Sequence, residues 1–67
     1  MYILDTDRLK ELIEEAGLSQ RELAEKTHTT PSAISLYISG KRTPRLNEFF
    51  KICEVLQCNV IDLIVRL

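Results

Sequence analysis

The chain has few residues of the kinds that bind metal ions or form disulfides. It contains two cysteines, Cys53 and Cys58, and one histidine, His28, and their spacing is not that of a metal site. We therefore predict no metal site and expect both cysteines to be small buried hydrophobic residues. The histidine has no nucleophile or carboxylate at a recognisable catalytic spacing, so we expect neither an enzyme nor a cofactor.

Long hydrophobic runs are also missing. No apolar stretch approaches the ~20 residues that a membrane-spanning helix needs. The segment "MYIL" is too short for the core of a signal peptide, and Asp5 and Asp7 follow it closely. We expect a cytoplasmic protein with no membrane partner. Without repeats or low-complexity segments, the 67 residues predict a single globular domain, 1–67, near the lower size limit for folding on one core.

Acidic residues are absent from one long segment. Residues 26–46 contain four basic side chains and no acid, whereas the rest of the chain has five basic and ten acidic residues. The net charge of −1 therefore conceals a positive segment on an acidic body. Such segregation favours a surface that binds a polyanion.

Capping signals at helix ends divide the chain into five predicted helices. Asp5 or Thr6 can cap the first helix and Gly17 can end it, while "SQRE" at Ser19 is a capping box for the second. The first helix follows an i, i+3, i+4, i+7 pattern. Its expected buried residues are Leu9, Leu12, Ile13 and Ala16.

The third helix is predicted from Thr30, with Pro31 in its first position, to Gly40. The fourth is predicted over about 46–56, and a short fifth helix follows Asn59. The fourth helix is expected to bury Leu46, Phe49, Phe50, Cys53 and Leu56. No segment alternates over a length that predicts a strand. The predicted fold class is all-α, a compact bundle of five short helices.

The third helix has two different faces. Ile34, Tyr37 and Ile38 share one face, which we expect to be packed. The opposite face carries short polar side chains and one leucine, and basic residues follow the helix. Short hydroxyl side chains suit base edges in the major groove, while lysine and arginine suit phosphates. The helix therefore fits presentation to DNA. Its outward stripe is Ser32, Ser35, Leu36 and Ser39.

The segment 12–44, "LIEEAGLSQRELAEKTHTTPSAISLYISGKRTP", resembles the helix-turn-helix of the phage repressor and Cro family, an XRE-like DNA-binding domain. The shared elements, in order, are "GLSQ", "LA", "IS", "GK" and a proline. The following "LNEFFKICEVLQCNVIDL" is similar to the two closing helices of the family, so the resemblance covers about 8–63.

The resemblance implies a five-helix, lambda-repressor-like domain with its helix-turn-helix at about 19–38. It implies a sequence-specific transcriptional regulator, expected to be a prokaryotic or phage-encoded repressor, that inserts helix three (about 31–39) into the major groove of double-stranded DNA. Positions that match DNA-contacting positions of the family are Gln20, Thr30, Ser32, Ala33, Ser35, Leu36, Lys41, Arg42 and Arg45. Arg21, exposed on helix two, is a further candidate for a phosphate contact or is a solvated charge.

Three positions depart from the family pattern. The turn residue that is usually glycine is His28, which can still adopt positive φ. Ile13 and Ile38 occupy positions that often hold an arginine–glutamate pair, and we interpret them as core residues. Leu36 stands where the family usually has a polar residue. We expect it to contact either a thymine methyl group or a partner chain.

Two alternative functions remain at this point. The alternatives to a transcriptional regulator are the antitoxin of a toxin–antitoxin pair and a protein-interaction module that kept the fold without DNA binding. Because one recognition helix covers only half a site, we also expect a homodimer on a palindromic operator, with a further protein partner as a candidate for its control. The expected dimer interface is C-terminal: Ile61, Ile64, Val65 and Leu67, with Tyr2 and Ile3 as candidate additions.

Overall fold

The computed structural model describes the backbone of residues 2–66 and the side chains of residues 3–65. Most of the chain forms four α-helices: α1 (Thr6–Glu15), α2 (Gln20–Lys26), α3 (Pro31–Ile38) and α4 (Leu46–Leu56). Strand β1 (Tyr2–Leu4) precedes them, and a 3-10 helix (Val60–Leu63) and strand β2 (Ile64–Arg66) follow. None of these helices is long and apolar enough to cross a membrane.

The first three α-helices begin at the residues that the sequence predicts. The Asp5 carboxylate caps α1. At α2, the Ser19 hydroxyl accepts the Glu22 N–H and the Glu22 carboxylate accepts the Ser19 N–H, each at 3.1 Å. The Thr30 hydroxyl accepts the Ala33 N–H at 3.2 Å, ahead of Pro31 in the first turn of α3. These side chains satisfy N–H groups that a first helical turn leaves unpaired.

Glycine ends α1 as predicted, although the helix buries one residue fewer than expected. Gly17 has φ +69°, a conformation that glycine adopts with little strain. Ala16 precedes it as the C-cap and is exposed, so the prediction that Ala16 is buried is wrong. The buried residues of α1 are Leu9, Leu12 and Ile13.

The predicted fifth α-helix is wrong, because the segment after Asn59 forms only the 3-10 helix. The Asn59 N–H donates to the Asp62 carboxylate at 3.0 Å, so the predicted pair is present at its start. Four residues give too few hydrogen bonds to offset the cost of starting an α-helix. The chain then extends into β2.

The prediction of no strand is also wrong. β1 and β2 pair antiparallel, with Ile3 opposite Val65 and Leu4 opposite Ile64. Leu4 and Ile64 are half-buried against the core, while Ile3 and Val65 are exposed on the other face of the pair. Three residues a strand are too few to show alternation in a sequence. The sheet joins the two ends of the described chain.

The core lies between the four α-helices and the 3-10 helix. α4 buries Phe49, Ile52, Cys53 and Leu56. The prediction that Leu46 and Phe50 are buried is wrong, since they are 68% and 51% exposed. Both sets of residues fit the 3.6-residue period, but the packed stripe is rotated from the predicted one toward Ile52. This packing places α2 against α3 and α1 against α3.

Candidate nucleic-acid interface

The turn between α2 and α3 is fixed by a buried threonine. The side chain of Thr27 is 3% exposed, and its hydroxyl donates to the carbonyl of Leu23 at 2.8 Å. The Thr29 N–H donates to the Ala24 carbonyl at 2.9 Å. His28 between them has φ +57°, as expected for a position that is usually glycine in the family. These contacts hold α3 at a fixed angle to α2.

The inner face of α3 is packed as predicted. Ile34 and Tyr37 are buried, and Ile38 is half-buried against the core. The Tyr37 hydroxyl donates a hydrogen bond to the half-buried carboxylate of Glu48 in α4. Burial raises the pKa of Tyr37 above its usual value, and the bond to Glu48 raises it further. The phenol therefore stays protonated and joins α3 to the first turn of α4.

The outer face of α3 presents the predicted stripe to solvent. Ser32, Ser35 and Ser39 are exposed, and Leu36 is 36% exposed. Ala33 does not belong to this surface. Its side chain is only 8% exposed and is part of the core, so that its match to a DNA-contacting position of the family stays a prediction. In the helix, Ala33 points to the same side as Tyr37, one turn later.

The loop after α3 folds back onto the end of the helix. The N–H groups of Lys41 and Arg42 both donate to the carbonyl of Leu36, at 3.0 and 3.3 Å, and Gly40 adopts φ +77° to permit this. The side chains of Lys41, Arg42 and Arg45 are exposed. The ion pairs found among the described side chains all belong to Arg8. The three loop cations therefore remain available to an anion.

The other predicted contact residues lie at the starts of α2 and α3. Gln20 and Arg21 are exposed in the first turn of α2, and Thr30 is exposed although its hydroxyl already caps α3. Thr43, which was not among the predicted contact residues, is also exposed in the basic loop, between Arg42 and Pro44.

The sequence matches a family model over most of its length. The model is that of the helix-turn-helix family HTH_3, and it matches residues 9–63. The chain belongs to the XRE-type helix-turn-helix family. The matched range agrees with the resemblance to phage repressors and Cro, which is confirmed. No curated protein matches the sequence.

Two solved structures are similar to this helix-turn-helix chain. A candidate DNA-binding protein from Bacteroides fragilis is 29% identical, with a TM-score of 0.81 over 97% of this chain and 100% of that one. The clp gene regulator ClgR from C. glutamicum is 24% identical, with a TM-score of 0.76 over 85% of this chain and 74% of that one. The second likeness concerns the fold alone.

The C-terminal residues predicted to form a dimer interface divide between the core and the surface of the helix-turn-helix domain. Ile61 is 75% exposed and Val65 is exposed beside Ile3 of β1. Ile64 is half-buried and packs against the core, so only part of it is free for a partner. Leu67 and the side chain of Tyr2 lie outside the described residues.

The remaining candidate groups on the described part of this helix-turn-helix chain are its possible metal ligands and its two cysteines. No group of three or more histidine, cysteine or acidic side chains there is placed to hold a metal ion. Cys53 is buried, as predicted, whereas Cys58 is only half-buried. Burial is the main cause that raises the pKa of the Cys53 thiol to about 12, and Cys58 adds to it. The nucleophilic thiolate is therefore scarce near neutral pH.

Proposed function

We propose that this helix-turn-helix protein is a sequence-specific DNA-binding regulator of transcription that inserts α3 into the major groove. The observation that carries the proposal is the combination of an exposed, mainly hydroxyl-bearing face on α3 with a basic loop folded onto its end. Family membership supports it. So does the similar structure from Bacteroides fragilis, which is described as a candidate DNA-binding protein.

The exposed polar side chains divide into two groups by chemistry. Ser32 and Ser35 have short hydroxyl groups that can approach base edges closely. The other polar side chains, at the starts of α2 and α3 and in the basic loop, suit the phosphates on either side of the groove, where they set the register of α3. The residues proposed to contact phosphates are Gln20, Arg21, Thr30, Lys41, Arg42 and Arg45, and Thr43 is added to them because of its position in the basic loop.

The charges around the site favour a polyanion. Glu48 is the first acid after the basic loop, and its carboxylate is half-buried and accepts the hydrogen bond of Tyr37. It is therefore drawn toward the core rather than toward the loop cations. The positive segment 26–46 thus keeps its charge at the surface although the whole chain carries −1. This local field attracts phosphate despite the net charge.

We further propose repression as the regulatory action. A protein that occupies its operator excludes other proteins from the same DNA, and occlusion needs only the contacts assigned above. A second copy of the chain would complete the site, because one α3 covers a half-site of too few base pairs for selective binding in a genome. Support for a homodimer comes from the exposed apolar side chains of Ile61, Val65 and Ile3.

Salt dependence of binding tests the phosphate contacts. We expect affinity for random duplex DNA to fall steeply as salt rises, because each phosphate contact releases counterions. Neutralising one loop cation, as in Lys41→Gln or Arg42→Gln, should weaken binding about equally on all sequences and reduce the salt slope by ~1.

Lys10→Gln is the matched control, since Lys10 is exposed on α1 outside the proposed surface. It should leave both affinity and slope unchanged. Absence of salt-dependent binding to any duplex would contradict the proposal and favour a protein-interaction module on the same fold. A loss that is confined to some sequences, with an unchanged slope, would show that Lys41 and Arg42 do not contact phosphate.

A further inference from the structure

The outward face of α3 lacks the side chains that usually identify bases. Arginine or lysine can pair with guanine through two hydrogen bonds, and asparagine or glutamine can pair with adenine in the same way. The eight residues of α3, "PSAISLYI", include none of these four types. Its serines can form single hydrogen bonds that several bases accept. Strong selectivity from α3 must therefore come from another kind of contact.

Leu36 is the large apolar side chain on this polar face. Its neighbours along the stripe, Ser32, Ser35 and Ser39, are all hydroxyl-bearing, and the cations of Lys41 and Arg42 follow in the loop. The leucine is not part of the core, and 36% of it is exposed. An exposed apolar side chain gains free energy only if a partner covers it.

The main chain at Leu36 is held by three hydrogen bonds at the C-terminal end of α3. Its carbonyl oxygen accepts hydrogen bonds from the N–H groups of Lys41 and Arg42 and from the Ser39 hydroxyl, at 3.0, 3.3 and 3.1 Å. The basic loop is therefore hydrogen-bonded to the main chain of Leu36 itself. When the loop cations engage phosphates, the side chain of Leu36 is brought toward the groove between them.

The major groove exposes one apolar group that can cover a leucine. This is the C5 methyl group of thymine, which cytosine lacks. We propose that Leu36 selects thymine in the operator by packing on this methyl group, so that this chain recognises thymine mainly through an apolar contact. The inference rests on the proposed function, because it requires α3 to lie in the major groove.

Removing the methyl group from the DNA tests the proposal without altering the protein. An operator is first selected from a random pool, and each thymine in it is then replaced singly by deoxyuridine. Deoxyuridine keeps every hydrogen-bonding group of thymine and lacks only the methyl. One such replacement at the contacted thymine should weaken binding of the native chain about fourfold, the effect of losing one buried methyl group.

A protein variant assigns the effect to the leucine. Leu36→Ala should bind the thymine and deoxyuridine operators equally, while Leu46→Ala, the same truncation at an exposed leucine of α4 outside the proposed surface, should keep the fourfold preference. Circular dichroism would verify that Leu36→Ala is folded, as expected for a partly exposed side chain.

Three outcomes would overturn the inference. If no deoxyuridine position weakens binding, or if Leu36→Ala keeps the preference, Leu36 does not contact a thymine methyl although DNA binding itself stands. If Leu36→Ala leaves DNA binding unchanged and abolishes association with another protein, the leucine serves that partner. If the native chain binds no duplex at all, the proposed function fails and the inference fails with it.

Discussion

The Tyr37 side chain combines a buried ring with a polar contact at the edge of the core. The ring is 1% exposed, and the hydroxyl donates to Glu48 across the gap between α3 and α4. The sequence predicted the burial, because Tyr37 shares a face with Ile34. It did not predict the partner, since Glu48 stands 11 residues away and its direction depends on how α4 packs.

Removing the Tyr37 hydroxyl gives the first stability prediction. Tyr37→Phe should lower the free energy of unfolding by roughly 1–2 kcal/mol at neutral pH, because the half-buried Glu48 carboxylate loses a donor. Chemical denaturation of both proteins would measure this difference. An unchanged stability would show that water replaces the hydroxyl without cost.

The same pair predicts a dependence on alkaline pH. The pKa of Tyr37 is raised in the folded chain above the ordinary value of 10.0, so the unfolded phenol ionises first as the pH rises. The unfolded state then binds fewer protons than the folded state, and stability falls above about pH 10. The pKa of Cys53 is raised to about 12 in the folded state, so that this thiol lowers the stability of both proteins further as the pH rises. The wild-type chain should therefore lose stability faster than Tyr37→Phe, and equal slopes would contradict this.

Single residues also show why some departures from the family pattern are tolerated. His28 occupies the turn at φ +57°, which histidine adopts more readily than most non-glycine residues. Ile13 and Ile38 both pack on the core, as the sequence predicted from their being apolar together. A change of only one of them to a charged residue would leave that charge without its partner.

At the scale of elements, helix starts were predictable because their signals are local. The capping box at Ser19 and the Thr30–Pro31 start each depend on residues within one turn, and both occur in the structure. The buried face of α4 was not predictable in the same way. Leu46, Phe49 and Phe50 fit the helical period as well as Ile52 does, and packing against the other helices decides between them.

The prediction of a fifth helix in the C-terminal segment was wrong for a related reason. "VIDLIV" is apolar and rich in β-branched residues, so that its composition fits a buried helix turn or a strand. Its outcome depends on β1, which lies about sixty residues earlier and supplies the pairing partner. A three-residue strand has too little sequence of its own to indicate such a distant pairing.

The capping box of α2 is the basis for an element-scale prediction. α2 has only seven residues and therefore depends on its caps more than a longer helix does. Ser19→Ala removes the acceptor for the Glu22 N–H and should cost ~1 kcal/mol, or about 4–8 °C in melting temperature for a domain of this size.

Ser32→Ala provides the comparison, because Ser32 is an exposed serine within α3 rather than a helix cap. Thermal unfolding followed by circular dichroism should show a clear loss for Ser19→Ala and little change for Ser32→Ala. Equal melting temperatures for the native chain and Ser19→Ala would mean that water caps α2 equally well.

At the scale of the whole molecule, the proposed DNA-binding surface and the proposed dimer surface come from different parts of the chain. The basic loop and the outward stripe of α3 belong to the middle of the sequence, whereas Ile3, Ile61 and Val65 belong to the two ends that the sheet brings together. Ile3 and Val65 are directly opposite each other in the sheet, so their side chains form one continuous apolar area. This area is part of the surface that we propose a second copy of the chain covers.

Ile61→Glu should dissociate the proposed homodimer. Ile61 is 75% exposed, so the substitution removes little burial within one chain, but it would place a charge in an apolar interface. Leu46→Glu is the matched control, since Leu46 is 68% exposed on α4. Sedimentation equilibrium should find dimers for the native chain and Leu46→Glu and monomers for Ile61→Glu. If only Leu46→Glu dissociates the dimer, the interface lies on α4 instead of the C-terminal region.

The proposed dimer also predicts the geometry of the operator. Two copies related by a twofold axis would place their α3 helices about one helical turn of DNA apart, near ~34 Å, and the selected site should then be a palindrome. Ile61→Glu should still contact phosphates but lose selectivity, because each monomer engages a single half-site. If the native chain saturates its operator at one copy, and the selected sequence has no palindrome, the protein binds as a monomer and the exposed apolar area at the sheet serves another partner.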